Sequence, residues 1–215
     1  MSDSSEDEEQ DSDQGSVGQW MREQFSELSA YMRVTRAKMI IRRYFAMNAF
    51  DGAMTSLGVV IGAYISYIVD PRAIIGVIIL SGIAMAISGF SGTYMTESAE
   101  RSRSLNELED AMLTDLDDTI YSDASKFVSI FAAIVDGSAP FIASIPAVVP
   151  FYIAHIGLLP IIAAFAASIG ACLFTLFFLG VFLGKVSNEN IIYSGIKMVI
   201  AGVAVALLAL LLNTH

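Results

Sequence analysis

Asp51 stands in the first third of "FDGAMTSLGVVIGAYISYIVD", residues 50–70, a run otherwise apolar enough to cross a bilayer. An ionised carboxylate deep in a span costs about 2.5–3.5 kcal/mol on insertion scales, so it faces an aqueous path, a cation or a proton-sharing partner. Asn48, Thr55, Gly58, Gly62 and Ser66 recur around Asp51 at three- and four-residue steps, which places them on one helical face. The thioethers of Met47 and Met54 flank Asp51 at i−4 and i+3. The next apolar run carries a matching stripe of Gly82, Met85, Gly89, Gly92 or Thr93, and then Thr96, Glu97 and Glu100. A further carboxylate, Asp136, lies in "VDGSAPFIASIPAVVPFY" and, like Asp51, precedes glycine. Carboxylate and thioether groups in this mixture suit a ferrous or manganous ion that is held weakly and released, whereas a tight zinc site needs closely spaced Cys and His. The histidines are His155 and His215 alone, and the one cysteine is Cys172. The candidate metal ligands are therefore Asp51, Met54, Met85, Glu97 and Glu100, with Asn48, Thr55, Thr93, Glu107 and Asp136 as further candidates. No permanently bound cofactor is expected.

These residues need spans to position them. The 215 residues are 55% hydrophobic and only 16% charged, with the charges crowded into a few segments. Apolar runs at about residues 44–69, 73–96, 127–154, 156–183 and 191–212 each exceed the roughly 20 residues that cross a bilayer core. The expectation is an all-α integral membrane protein with five transmembrane helices per subunit. "FTLFFLGVFLG" and the run from Leu207 to Leu212 have no polar face, which excludes a soluble helical domain. The tight turn "VDPR" predicts that the small and polar stripes of helices 1 and 2 face each other. Each Asp-Gly is followed by a span, a short connection and a Gly-containing span, so helices 1–2 and 3–4 read as a parallel repeat with helix 5 outside it. Pro140, Pro146 and Pro150 are expected to break the backbone of helix 3.

The net charge of −10 comes mostly from "SDSSEDEEQDSDQ", so residues 1–19 read as a disordered acidic tail that serves solubility, with metal collection as an alternative. It lacks the basic start and short apolar core of a signal peptide. Residues 20–43 read as an interfacial amphipathic helix. Residues 99–125 read as a cytoplasmic connector built on one amphipathic helix, with Glu100, Glu107, Glu109, Asp110, Asp115, Asp117 and Asp118 on its acidic face. Arg22, Arg33, Arg36, Lys38, Arg42 and Arg43 precede helix 1, and Arg101, Arg103, Lys126 and Lys185 share their side, against Arg72 opposite. The positive-inside rule then places the amino terminus in the cytoplasm and the carboxyl terminus outside. Short loops suit a prokaryotic plasma membrane.

"DGAMTSLGVVIGA" on helix 1, "GIAMAISGFSGTYMTESAER" on helix 2, the charged connector and the Asp-Gly-Ser of helix 3 with its following prolines resemble the vacuolar iron transporter family over about residues 40–212. The resemblance implies a homodimer of five-helix subunits that exports ferrous iron, and often manganese, from the cytoplasm in exchange for protons. Asp51 matches the family's helix 1 metal-site aspartate. Two departures stand out. Thr93 occupies the place where better-known members carry Glu, with Glu97 one turn further on the same face as its stand-in, and the connector is too short for the family's large cytoplasmic metal-binding domain. The expected partners are metal ions, protons, the lipid bilayer and a second copy of the chain, with no nucleic acid. The alternatives are a non-transporting membrane scaffold or sensor and, further off, a lipid-modifying enzyme. Asp51-Gly52 lacks the later aspartates such an enzyme needs, so no enzymatic activity is expected.

Overall fold

The computed structural model describes residues 37–116, 119–187 and 189–213. The acidic tail, residues 20–36 of the expected interfacial helix, and Asp117 and Asp118 lie outside the described residues. Five helices and no strand form among those described: α1 (Ala37–Ile65), α2 (Pro71–Met112), α3 (Ile120–His155), α4 (Ile161–Ser187) and α5 (Ile191–Asn213). All five are long and apolar enough to cross a membrane, so the chain is a multi-pass all-α membrane protein.

Local chemistry sets the helix ends. The Asp70 carboxylate accepts the Arg72 amide at 3.0 Å with Pro71 as the first helical residue, which is an N-cap followed by the imino acid that has no N–H to leave unpaired. At the other end of that turn α1 closes with Tyr67 in the left-handed region (φ 55°), while Ile68 N–H bonds the Ala63 carbonyl and Tyr67 N–H bonds that of Tyr64. Gly157 (φ 80°) repeats the pattern at the end of α3, with Leu158 bonded back to Ile153, and Pro160 precedes α4. Residues 156–160 thus form a turn and not the start of the fourth span. Thr119 and Asn190 cap α3 and α5.

Two expectations change. The connector's helix is not a separate element: α2 runs unbroken for 42 residues, roughly 63 Å, about twice the hydrocarbon core, and ends only at Leu113 with φ 49°. Nothing between Thr96 and Met112 breaks a helix, because Glu, Ala, Arg and Leu dominate and neither Gly nor Pro occurs. Likewise α3 continues through Pro140, Pro146 and Pro150, so those prolines remove hydrogen bonds without ending the helix.

The described residues divide into two compact units, one consisting mainly of Ser98–Ser129 and the other of Met39–Glu97 with Ile130–His215. The core of the larger unit is built from small side chains, among them Ala49, Ala53, Ala139, Ala143, Ala147 and Ala164, with Leu57, Phe151, Phe165 and Leu176 filling between them. Phe151 and Phe165 meet edge-to-face at 5.1 Å. Small residues let the backbones approach closely where lipid supplies no hydrophobic drive for helix association. Gly180 and Gly184 of α4 lie against Ser194 and Gly195 of α5, and Ser168 of α4 donates to the Ala147 carbonyl of α3 at 2.8 Å.

Candidate functional site

The polar residues of the spans converge on Asp136. Its side chain is 2% exposed and both carboxylate oxygens are engaged: Asn48 Nδ2 of α1 donates to Oδ1, and Thr93 Oγ1 of α2 donates to Oδ2. Three helices share one carboxylate. The two Asp-Gly glycines make the approach possible, since a Cβ at Gly52 would sit on the Pro140 carbonyl of α3 and one at Gly137 would stand 2.7 Å from the Ala86 carbonyl of α2. The α2 stripe packs on α3 along its glycines, Gly82 abutting Phe141 and Ser144 and Gly89 abutting Gly137.

Pro140 adds an oxygen to this crossing. It has no N–H, so the Asp136 carbonyl loses its intrahelical donor, a loss tolerated in a span only where protein or a cavity surrounds the group. That carbonyl lies toward Gly89, where a Cβ would come within 3.6 Å of it. One turn away, four residues before Asn48 and four after Thr93, Tyr44 Oη donates to Glu97 Oε1 at 2.9 Å, and Glu97 is buried. The antiparallel helices α1 and α2 are thus tied at successive turns, one rung running through Asp136 and the other direct.

The remaining candidates are placed differently. Asp51 is exposed on α1 and joins none of these hydrogen bonds. Met54 packs against the apolar core, Thr55 is half-buried, and Met85 sits half-buried on α2 about 12 Å along the axis from Thr93. Glu100 and Glu107 are exposed and belong to the smaller unit, where Glu107 pairs with Arg103 at 2.9 Å. Among the described residues no three His, Cys, Asp or Glu side chains cluster as a ready-made metal cage. What the fold assembles is an oxygen-rich crossing of carboxylate, amide, hydroxyl and freed carbonyl, the donor set of hard cations, without the expected thioethers.

The chain is 37% identical over 175 residues to the uncharacterized protein MJ0645 of Methanocaldococcus jannaschii, a match covering 80% of this chain and 87% of that protein. The chain belongs to the family of that archaeal protein. No protein-family model matches it, and no solved structure does.

Sequence reasoning ranked Asp136 below Asp51 and did not single out Tyr44. Two signals pointed to them: a proline four residues after Asp136 within a span, and the one-turn spacing of Tyr44 from Asn48 opposite that of Thr93 from Glu97.

Proposed function

We propose that the protein is a divalent transition-metal transporter that moves ferrous iron or manganese out of the cytoplasm in exchange for protons. One observation carries the reading: a buried carboxylate, Asp136, sits at the crossing of three membrane helices with only neutral hydrogen-bond donors, next to a freed carbonyl. Such a group is costly in a span and is characteristic of ion and proton pathways. Among the described residues no Lys or Arg forms an ion pair with it. Metal and proton compete for the same carboxylate oxygens, so proton entry on one side drives metal release there. Glu97 forms the next carboxylate step, and Asp51 stands one turn beyond Asn48 on α1. The resemblance to vacuolar iron transporters supports the substrate class, and the Lys and Arg distribution supports a cytoplasmic amino terminus in a prokaryotic plasma membrane.

The working unit in this reading is a homodimer. Gly180, Gly184, Gly82 and Gly89 are already used inside the subunit, whereas Gly58, Gly62 and Gly92 have open space beside them. A seam along those glycines would cover the exposed carboxylate of Asp51. The test is metal flux into proteoliposomes with and without a pH gradient, comparing the native chain with Asp136→Asn. Loss of ferrous and manganous flux in the variant, with folding intact, supports the transporter. Normal flux would leave Asp136 as a neutral hydrogen-bonding tie between helices.

A further inference from the structure

The smaller unit contains a cavity that the transport reading does not use. Ser98, Arg101, Ser102 and Leu105 of α2 fall at i, i+3, i+4 and i+7, and Ser122, Ser125, Lys126 and Ser129 of α3 fall at the same steps. Each set is one face of a helix. Those are the positions where packed helices normally place apolar residues; here five hydroxyls, a guanidinium and an ammonium line a cavity of about 40 Å³ with one leucine. Among the described residues no carboxylate lines it. Ser122 is 1% exposed and its Oγ has no hydrogen-bond partner, whereas Ser129 satisfies its own hydroxyl on the Ser125 carbonyl at 3.0 Å. A buried hydroxyl without a partner is costly unless something else fills that role.

We propose that this cavity binds a phosphate-type oxyanion. Serine hydroxyls donate to phosphate oxygens and Lys126 supplies a point charge. The volume suits one tetrahedral group, since a single water needs about 10–15 Å³ by the same measure. The same chemistry is offered by free inorganic phosphate and by the headgroup of an anionic lipid. Along the chain the lining residues follow the apolar run of α2 and open α3 before its apolar run begins, and basic clusters beside apolar runs are where anionic headgroups are recognised.

The experiment uses the full chain in detergent and in phosphatidylcholine nanodiscs with or without phosphatidylglycerol. Inorganic phosphate binding is read as a melting-temperature shift against chloride at equal ionic strength, and retained lipid is read by native mass spectrometry. The expected result is a response to inorganic phosphate, which assigns free phosphate, or selective retention of phosphatidylglycerol, which assigns the headgroup. Lys126→Gln, which removes an exposed cation, should weaken whichever response occurs about tenfold, as loss of a charge-assisted hydrogen bond predicts. Ser122→Ala should weaken it as well while leaving the ligand-free melting temperature unchanged or raised, because a purely structural serine stripe gains nothing from an unsatisfied hydroxyl. Absence of both responses in the native chain, or responses that both variants leave intact, overturns the proposal.

Discussion

Thr93 donates its hydroxyl hydrogen to Oδ2 of Asp136, joining α2 to α3 within the spans. The position at which the resemblance to vacuolar iron transporters leads one to expect a helix 2 carboxylate is thus filled by a donor, and the carboxylate it serves comes from helix 3. A carboxylate thus stands at the crossing, carried by α3 and not by α2.

Asp136→Asn is expected to reduce ferrous and manganous flux in proteoliposomes below a tenth of the native rate, with expression and oligomer size nearly unchanged. The amide keeps the shape and can still meet Asn48 and Thr93, but it has no charge to hold a cation. Asp51→Asn, measured alongside, is expected to impair flux too, since Asp51 follows Asn48, the α1 donor to Asp136, by one helical turn. Full transport by both variants would remove the aspartates from the pathway.

Tyr44→Phe should destabilise the chain by roughly 1 kcal/mol, because the buried hydrogen bond from Tyr44 to Glu97 is lost. Thermal denaturation in detergent reads this. Glu97→Gln should slow transport more than Glu109→Gln, whose residue lies in the smaller unit and accepts the Leu116 amide at 2.8 Å.

Gly52→Ala and Gly137→Ala each place a methyl group against backbone of a neighbouring helix, at the carbonyls of Pro140 and Ala86. Backbone cannot rotate out of the way, so a loss of about 1–3 kcal/mol and loosened geometry at Asp136 are expected. Gly58→Ala and Gly62→Ala meet nothing within 4 Å in the subunit and should leave monomer stability unchanged. A weakened dimer in mild detergent for those two alone would locate the seam.

Cys172 is 2% exposed, so a water-soluble maleimide should leave the folded native chain unlabelled and modify it only after denaturation. In a Cys172→Ser background, cysteines at Ser187 and Asn213 should be labelled from opposite sides of the membrane. Labelling of both from one side would mean that α5 does not cross.

The spans and their number were legible in the sequence because the bilayer makes them local properties. Backbone groups in lipid must be satisfied within the segment, so a long apolar run forms a helix wherever its neighbours lie. Asp70-Pro71 announced its turn for an equally local reason, a side-chain cap and a missing N–H. The identity of the central carboxylate was a different matter. Asp51 and Asp136 both precede glycine in apolar runs, and which of them is buried depends on how far each helix is rotated about its own axis, with each residue step turning the face by about 100°. Only packing sets that angle: Gly52 against Pro140 and Gly137 against Ala86 turn Asp136 inward between Asn48 and Thr93 and leave Asp51 exposed. The length of α2 was hidden as well, since its polarity changes where it leaves the apolar run but its helical hydrogen bonding does not.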